Sequence, residues 1–337
     1  MKLGIPKEIR DGESRVGMIP RQMKEMTDSS HEVLVQSGAG EKAGFADSDY
    51  EDAGAKIVSG AKEVYEQADL VVKVNALTAD EVDLLGENTA VVGMLAPLGY
   101  PDVMKKLVDR KVTAFSMEFL PRITRAQSMD VLSSMSTVAG YKAVLMAADS
   151  LPKFFPLLMT AAGTIAPANA LVIGAGVAGL QAIASAKRLG AKVTAFDTRP
   201  AVKEQVESLG ARFLKMDLEE DAETEGGYAK EMTEEFYQKE LEVIGKAAKK
   251  TDVIISTALI FGKKAPVLIT EDMLKSMRAG SVVVDLAALN GGNCELTEPG
   301  KTVVKHNVTI HAPLNLASEL PQHASQMYTK NLSNYLK

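Results

Sequence analysis

Residues 170–199 contain the pattern that most restricts how this chain can fold. An apolar, β-prone run leads into a Gly-x-Gly-x-x-Gly turn, whose glycines are Gly174, Gly176 and Gly179. A helical stretch follows the turn, and a second strand-like run then ends on Asp197, 23 residues after Gly174. This order of strand, tight turn, helix and strand is typical of the unit that binds the pyrophosphate of a dinucleotide.

The residues of the turn have separate physical roles in such a unit. Gly174 permits the turn, Gly176 lets backbone N–H groups approach phosphate oxygens, and Gly179 lets helix and strand pack closely. The N-terminus of the following helix offers free N–H donors and the positive end of a dipole to an anion. Asp197 lies where an acceptor for ribose hydroxyls is expected. The alternative is a glycine turn in an α/β domain that binds no nucleotide.

Composition narrows the class of protein. A chain of 337 residues is about twice the usual domain length, which favours two domains. The net charge of -6 and the lack of a basic block argue against nucleic acid as a partner. The one cysteine, Cys294, cannot form an intrachain disulfide, and no metal-ligand pattern surrounds it. A single cysteine fits a reducing compartment. The charged N-terminal segment lacks an apolar core, so we expect no signal peptide.

One uncharged segment, Phe154–Ala186, is longer than the roughly 20 residues needed to span a bilayer. It contains Pro156, Pro167 and the glycine turn, which divide it into a helix end, a loop, a strand and a helix start. We therefore expect a buried parallel strand here and no membrane span.

Strand-like and helical patterns alternate along the chain. The N-terminal strand candidates are Lys2–Ile5, Glu32–Gln36, Leu70–Val74, Ala90–Gly93 and Val112–Phe115. The helical candidates among them are Arg21–Met26, Gly60–Gln67 and Pro101–Asp109. The later strand candidates are Leu171–Ile173, Lys192–Phe196, Phe213–Met216, Val253–Ser256 and Val282–Asp285. This alternation predicts an α/β fold of two Rossmann-like domains with mostly parallel sheets, joined by long helices.

A long helical pattern from Ser128 to about Leu158 would carry the chain into the second domain. A final helix over Leu316–Lys337 would return to pack on the first. We therefore assign residues 1–127 and about 311–337 to an N-terminal α/β domain, and residues 128–310 to the dinucleotide-binding domain.

An acidic segment, Asp217–Phe236, separates two of the later strands. It is interrupted by Gly226 and Gly227 and contains few large apolar residues. One interpretation is a solvated surface loop. The other is a mobile flap that closes over bound nucleotide, with Tyr228 beside the glycine hinge.

Several segments of the chain resemble one known family. The runs LGIPKEIRDGESRVGMIP, HEVLVQSGAG and AGFADSDYEDAGAKIV are similar to the family shared by alanine dehydrogenase and the NAD(H)-binding component of proton-translocating nicotinamide nucleotide transhydrogenase. The similarity covers essentially the whole chain. Pro121–Tyr141 resembles the transhydrogenase loop named for its Arg, Gln and Asp, and Gly226–Met232 resembles that branch's mobile loop. Both motifs are long, and they favour the transhydrogenase branch.

Two positions argue against the dehydrogenase branch. An alanine dehydrogenase aligned on this sequence would carry a substrate lysine at Asn75 and an acid/base histidine at Ala96. Reductive amination needs a proton donor and cationic groups for the carboxylate, and neither residue is present at these positions. Arg15, which matches the dehydrogenase's carboxylate-binding arginine, is retained. Alanine dehydrogenase-like activity is therefore the alternative, with a catalytically silent NAD-binding regulator as a third possibility.

The resemblance implies roles for the residues of the first motif. Arg122 would bind the nicotinamide carboxamide region or the nearby pyrophosphate, and Gln127 would hydrogen-bond the dihydronicotinamide ribose. Asp130 would hold Arg122 and the loop in place. The other implied contributors to this region of the site are Ile123, Thr124, Arg125 and Ser133. On residue types alone Arg122 could instead form a surface ion pair with Asp130 or Glu118, and Ser133 could be a helix-start hydroxyl.

Around the glycine turn the resemblance implies contacts with the rest of the nucleotide. Val177 would contact the pyrophosphate through its backbone N–H, and Leu259 would pack near the ring system. Asp197 would accept from the adenosine ribose and repel a 2′-phosphate, although Arg199 beside it could pair with such a phosphate. The remaining implied cofactor-binding residues are Thr198 and Gly227, with Tyr228 close to the reacting ring. One departure is Glu240, which falls where members of the family can carry glutamine.

The implied activity is direct hydride transfer between NAD(H) on this chain and NADP(H) on a partner, which needs no acid or base on the reacting carbons. The implied partners are the NADP(H)-binding domain of the beta subunit and a membrane-spanning proton-channel subunit. A homodimer, peripheral to the cytoplasmic side of the membrane, follows from the same resemblance.

Overall fold

The computed structural model describes residues 1–29, 31–216, 233–259 and 263–337, and these form two units. The first unit contains residues 1–135 and 317–337, and the second contains residues 136–316. Both boundaries lie a few residues beyond those expected from the sequence.

The first unit is built on a sheet of six parallel strands in the order β3-β2-β1-β4-β5-β6. These strands are β1 (Lys2–Ile5), β2 (Glu32–Gln36), β3 (Lys56–Val58), β4 (Leu70–Asn75), β5 (Ala90–Met94) and β6 (Thr113–Ser116). Strand β4 is buried over its first five residues, as expected for a central strand covered on both faces. The sequence pattern did not predict β3, which is only three residues long.

Short helices cover this sheet, and their starts have recognisable chemistry. They are α1 (Pro20–Asp28), α2 (Asp47–Asp52), α3 (Ala61–Gln67), α4 (Ala79–Asp83) and α5 (Pro101–Asp109). Helices α1 and α5 begin with proline, whose fixed φ suits the first helical position. At α4, the Thr78 hydroxyl accepts from the Glu81 N–H, and the Glu81 carboxylate accepts from the Thr78 N–H.

Helix α6 (Val131–Ser150) contains the boundary between the units. Among the described helices it is the one long and apolar enough to cross a membrane, a test that core helices of globular proteins also pass. Within the second unit, a Cβ added to Gly140 would collide with the backbone of Ala178, so α6 packs closely against the helix that contains Ala178. The uncharged segment Phe154–Ala186 forms no single long helix, as the sequence predicted.

The second unit contains a seven-stranded sheet in the order β11-β10-β9-β12-β13-β15-β14, and a separate antiparallel hairpin, β7–β8. The strands are β7 (Leu158–Thr160), β8 (Gly163–Ile165), β9 (Asn169–Ile173), β10 (Lys192–Phe196), β11 (Arg212–Phe213), β12 (Val253–Ser256), β13 (Val282–Asp285), β14 (Thr302–Lys305) and β15 (Val308–His311). All neighbours in the large sheet are parallel except β14 and β15.

The prediction of five strands in this sheet was incomplete, because it missed β14 and β15. A two-residue turn, His306–Asn307, joins these strands, and both turn residues have positive φ angles, 52° and 60°. Such angles are typical of a type I′ hairpin turn, for which Asn-Gly is the usual sequence signal. His-Asn lacks the glycine, so the turn gave no clear pattern.

Helices cover both faces of the large sheet. They are α7 (Val177–Arg188), α8 (Lys203–Ser208), α9 (Glu234–Ala248) and α10 (Glu271–Ser276). Val172 and Ile255 face a core with residues of α6 and α7, whereas Leu171 and Ile254 face a core with residues of α9 and α10. Alternation along each strand therefore fills two separate cores.

The last helix, α11 (Pro321–Leu336), belongs to the first unit, as the sequence predicted. The Val16 N–H donates to the Ser325 hydroxyl at 3.0 Å, and the Ile19 N–H donates to the Thr329 hydroxyl at 3.2 Å. The buried Tyr328 hydroxyl donates to the carbonyl oxygen of Lys73 in β4. Helix α11 is therefore an integral component of this unit's core.

Candidate functional site

Two of the three glycines at the turn between β9 and α7, Gly174 and Gly179, are required by its geometry. Gly174 has a φ of 89°, and a Cβ there would lie 2.6 Å from the Thr257 hydroxyl oxygen. A Cβ on Gly179 would collide with the Gly174 carbonyl oxygen. A Cβ on Gly176 would meet no atom within 4 Å, so open space lies beside this backbone. The turn is thus tight on one side and open on the side where a ligand could approach.

Helix α7 begins directly after this turn, at Val177. The first intrahelical hydrogen bond runs from the Leu180 N–H to the Gly176 carbonyl at 2.8 Å, so earlier N–H groups have no partner within the helix. Strands β10 and β12 flank β9 on opposite sides, which makes this edge the topological switch point of the sheet. Open parallel sheets bind nucleotides at such a point.

Asp197, which follows β10, is bound to its neighbours on all sides. One carboxylate oxygen accepts the Ala175 N–H of the glycine turn at 2.6 Å. The Arg199 guanidinium forms a bidentate pair with the same carboxylate, at 2.9 and 3.0 Å. The charge of the Arg199 guanidinium is therefore directed at the Asp197 carboxylate. Thr198 between them is half-buried.

Two loops at the same edge of the sheet are tied together by Asn293, which is fully buried. Its amide oxygen accepts from the Ser256 hydroxyl at 2.7 Å and from the Ala258 N–H at 3.1 Å. Its amide nitrogen donates to the carbonyls of Ala258 and Pro266, at 2.9 and 2.8 Å. This network fixes the backbone that carries Leu259, whose side chain is 40% exposed.

Asp285, at the end of β13, in turn fixes the loop that carries Asn293. Its buried carboxylate accepts the N–H groups of Ala287 and Cys294, each at 3.0 Å, and the Thr297 hydroxyl at 2.6 Å. Neither Asp285 nor Asn293 was predicted from the sequence as a site residue. The signals available in the sequence were an acidic residue at a strand end and, further along, the run Gly291-Gly292-Asn293.

In the first unit, Arg122 and Gln127 lie in one loop. Gln127 belongs to a 3₁₀ segment, Thr124–Met129, and Arg122 lies just before that segment. The Ser128 carbonyl accepts from the side-chain amides of Asn331 and Asn334 on α11, at 2.8 and 3.0 Å. The loop is thus anchored through its backbone. Its exposed side chains include Arg122, Ile123, Thr124, Arg125 and Gln127.

Asp130 and Ser133 form the start of helix α6. The Asp130 carboxylate accepts the Ser133 N–H at 2.9 Å and the Ser133 hydroxyl at 2.6 Å. This is the geometry of an N-cap residue with the third residue of its helix. The helix-start interpretation of Ser133 therefore holds, and an interaction between Asp130 and Arg122 stays a prediction.

The structure brings the predicted residues together in two groups. The Arg122 loop belongs to the first unit, and the glycine turn, Asp197 and Leu259 belong to the second. Gly227 and Tyr228 lie outside the described residues, as does most of the predicted acidic loop. The end of that prediction was wrong, because α9 already begins at Glu234, after an N-cap hydroxyl on Thr233.

The positions that would serve an amino-acid dehydrogenase are engaged internally. The Arg15 guanidinium forms two hydrogen bonds with the Glu13 carboxylate, at 2.7 and 2.6 Å, and both side chains are buried. The Asn75 amide donates to the same carboxylate at 2.7 Å. Burial opposes ionisation of Glu13, but the Arg15 and Asn75 hydrogen bonds outweigh it and hold the pKa of Glu13 at about 2. Glu13 is therefore ionised at neutral pH and occupies Arg15.

Two models of one protein family together match almost the whole chain. Residues 4–139 match the family model described as alanine dehydrogenase/PNT, N-terminal domain, and residues 143–337 match the C-terminal domain model of the same family.

A protein of Rhodospirillum rubrum, named as the first section of NAD(P) transhydrogenase subunit alpha, is 52% identical to the chain over 343 residues, covering 100% of this chain and 89% of that protein. Alanine dehydrogenase of Staphylococcus epidermidis is 33% identical, covering 96% of this chain and 83% of that protein. The crystal structure of transhydrogenase from Sinorhizobium meliloti superposes with a TM-score of 0.90 at 40% identity, covering 100% of this chain and 93% of that chain.

Proposed function

The chain belongs to the alanine dehydrogenase/PNT family, and we propose that within it this is the NAD(H)-binding component of a proton-translocating transhydrogenase. The observation that carries the proposal is the pair of residues at 75 and 96. Asn75 and Ala96 lack the groups that reductive amination needs, in a chain otherwise close to transhydrogenase relatives. Hydride transfer between two nicotinamide rings needs neither group.

The residues of the second unit support NAD(H) binding. The N–H groups at the start of α7 and the open space beside Gly176 suit a pyrophosphate. The bound cofactor would supply the hydride chemistry, and Leu259 would present an apolar surface to its ring. The Asp197 carboxylate has about four acceptor positions and already accepts four hydrogen bonds, from the Ala175 N–H, the Arg199 N–H and two guanidinium nitrogens of Arg199. The adenosine ribose would therefore replace one of these bonds, such as one from the Arg199 guanidinium.

The Arg122 loop supports a role in orientation. Its exposed side chains are carried on a backbone that α11 anchors, so they can hold a ring in a fixed position. We propose that Arg122 binds the carboxamide or pyrophosphate, that Gln127 binds the ribose of the dihydronicotinamide, and that Tyr228 approaches the same ring.

The decisive experiment mixes this chain with the NADP(H)-binding domain of a transhydrogenase, in the absence of any membrane. We expect NADPH-dependent reduction of an NAD⁺ analogue, because one glycine turn holds only one dinucleotide and the second must come from the partner. If both nucleotides are bound and no hydride is transferred, the proposal fails and the silent regulator becomes the better interpretation.

Asp197→Ala is expected to weaken NADH binding about tenfold or more, since it removes a charged hydrogen-bond acceptor. The change also releases Arg199 to meet a 2′-phosphate, so the preference for NADH over NADPH should narrow. Fluorescence titrations with NADH and with NADPH measure the two dissociation constants. In the double variant Asp197→Ala/Arg199→Ala, the affinity for NADPH that Asp197→Ala gains should be lost, because the arginine that pairs with the 2′-phosphate is gone. Equal affinity of the unmodified chain for NADH and NADPH would contradict the prediction.

The proposed homodimer has structural support in the hairpin β7–β8. Isolated two-stranded hairpins are marginal in water, and this one presents Met159 at 80% and Ile165 at 38% exposure, next to Leu157 at 54%. Exposed apolar surface of this kind is typical of an interface. We propose that a second copy of the chain covers it.

Met159→Glu is therefore expected to convert a dimer into a monomer, because it would bury a charge in that interface. Sedimentation velocity measures the change in mass. Val304→Glu is a matched control, since Val304 is 66% exposed on β14 of the same unit and should leave the dimer intact. A Met159→Glu protein that stays dimeric would rule out the hairpin as the contact.

The partners we propose are the beta-subunit NADP(H)-binding domain and a membrane-spanning proton channel. The chain would then lie on the cytoplasmic side of the membrane, held there through those partners. Proton translocation would be a property of the assembled complex.

Alanine dehydrogenase-like activity remains the second candidate, because Arg15 is retained and a dehydrogenase relative is 33% identical. The pairing of Arg15 with Glu13 argues against a free carboxylate site. With pyruvate, ammonium and NADH, we expect no oxidation of NADH above background. Robust consumption of NADH in that assay would favour the dehydrogenase.

A further inference from the structure

A pocket of about 540 Å³ lies between helices α1 and α11, which both belong to the first unit. Side chains of both helices line it, among them Arg21, Gln22, Glu25, His323, Met327 and Lys330. The three from α11 recur at spacings of four and three residues, which places them on one face of that helix. The volume of the pocket lies within the range of about 300–1,000 Å³ that is usual for small-molecule sites.

The charged side chains at this pocket are not balanced among themselves. The Glu25 carboxylate pairs with Lys337 at 2.9 Å, and no described carboxylate forms an ion pair with Arg21 or Lys330. The hydrogen bond from Lys337 is the main cause that lowers the pKa of Glu25, which is therefore ionised at neutral pH. Three cations against one carboxylate leave an excess of two positive charges, on a chain whose net charge is -6. A positive pocket on an acidic protein attracts anions.

Gln22 is a polar residue on the otherwise apolar buried face of α1. It is 7% exposed, and the other buried residues of this helix are Pro20, Met23 and Met26. The amide oxygen of Gln22 is buried and has no hydrogen-bond partner among the described residues. A buried amide that is left unsatisfied costs free energy, whereas an apolar side chain of similar size would not.

The Gln22 amide can therefore gain a partner from a ligand in the pocket. The terminal torsion of glutamine is broad, so rotation about it presents either end of the amide to the pocket. The amide nitrogen supplies two donors for an anion, and the oxygen accepts from a hydroxyl. Together with the excess positive charge, this group gives the pocket both the charge and the polar contacts of a binding site.

We propose that this pocket binds a small organic anion with two negative charges, a dicarboxylate or a phosphomonoester. The Arg21 guanidinium presents paired N–H donors that match a carboxylate or a phosphate, and Lys330 supplies a second positive charge. Met327 is half-buried and offers an apolar side chain to the carbon part of the ligand. These residues are separate from those assigned to NAD(H), so binding at this pocket is independent of the proposed function.

Isothermal titration calorimetry of the full chain measures this binding. Succinate is the dicarboxylate probe and glycerol phosphate the phosphomonoester probe, with acetate as the singly charged comparison and glycerol as the neutral one. We expect at least one of the two dianions to bind about tenfold or more tightly than acetate, because two charge-assisted contacts replace one. The dianion that binds more tightly identifies the class of the ligand.

Arg21→Gln combined with Lys330→Gln should weaken binding of the preferred dianion about tenfold or more, because it removes both excess charges. Lys24→Gln combined with Lys105→Gln is the matched control. It removes the same charge from exposed positions of the first unit, on α1 and α5, and neither residue lines the pocket. This control should bind the dianion like the wild type, and so should the wild type saturated with NADH.

Gln22→Leu distinguishes a binding role of this residue from a packing role. The change removes the unsatisfied amide and keeps an apolar side chain of similar size, so the melting temperature should stay the same or rise. The affinity for the dianion should nevertheless fall about threefold or more, because the ligand loses a hydrogen bond. Unchanged affinity in Gln22→Leu would refute the role of the amide.

Three further results would overturn the site as a whole. Dianions that bind no more tightly than acetate would show that the pocket does not recognise a second charge. Equal losses of affinity in the Arg21→Gln/Lys330→Gln variant and in the lysine control would indicate a general attraction to surface charge. Displacement of the dianion by NADH would place it in the nucleotide site. Failure of hydride transfer with the NADP(H)-binding domain would leave all of these measurements unaffected.

Discussion

The Gln127→Asn variant, mixed with the NADP(H)-binding domain, should transfer hydride about 100-fold more slowly than the wild type, since a misplacement of about 1 Å between reacting groups can cost that much. Its dissociation constant for NADH should stay within about threefold. The shorter side chain withdraws the amide, and the loop cannot follow it, because Asn331 and Asn334 hold the Ser128 carbonyl. Single-turnover kinetics and fluorescence titration measure the two effects separately.

Ser128→Ala is the control for this variant. It lies in the same loop and retains the anchored carbonyl, so both transfer and binding should match the wild type. Arg122→Ala should behave like Gln127→Asn, with a larger fold-change in the rate of hydride transfer than in the dissociation constant for NADH. If the loss of transfer in Gln127→Asn only equals its loss of NADH affinity, the residue binds the cofactor without orienting it.

Gly179→Ala should abolish measurable NADH binding and lower the melting temperature. The added methyl would collide with the Gly174 carbonyl oxygen, and the tight turn has no space to relax. Overpacking of this kind costs about 1–3 kcal/mol, and displacement of the turn removes the N–H groups from the phosphate. Calorimetry and fluorescence titration of the same protein measure both losses.

Gly176→Ala separates binding from stability at the same turn. A methyl there meets no atom within 4 Å, so the melting temperature should not change. The methyl would nevertheless occupy the space that the pyrophosphate needs, and NADH binding should weaken about tenfold or more. A Gly176→Ala protein that binds NADH like the wild type would show that the phosphate does not lie beside Gly176.

The parallel strands could be predicted from the sequence because burial on both faces makes each a continuous apolar run. Strands β1, β2, β10, β12 and β13 have the predicted bounds. The predicted strand bounds were less accurate at the edges of the large sheet. Strand β11 was predicted at Phe213–Met216 but covers Arg212–Phe213. Edge strands are short and partly exposed, so the hydrophobic pattern defines their bounds poorly.

The candidate site shows a different limit. The glycine turn follows local rules of backbone conformation, so its geometry could be predicted from spacing alone. The pairing of Arg199 with Asp197 depends on a rotamer choice that residue order does not determine. Asn293 acts on Ala258, 35 positions earlier in the chain, and only the adjacency of β12 and β13 brings them together. Contacts of this range require the fold itself.

Helix α11 has a consequence for how the protein is made. Its residues complete the core of the first unit, yet the ribosome reaches them only after it has synthesised the whole second unit. Domains generally fold as units during synthesis, N-terminal ones first. Here the first unit cannot complete its core before α11 has been synthesised, whereas every residue of the second unit precedes α11. We therefore expect the second unit to complete its core first, although synthesis of the first unit begins earlier.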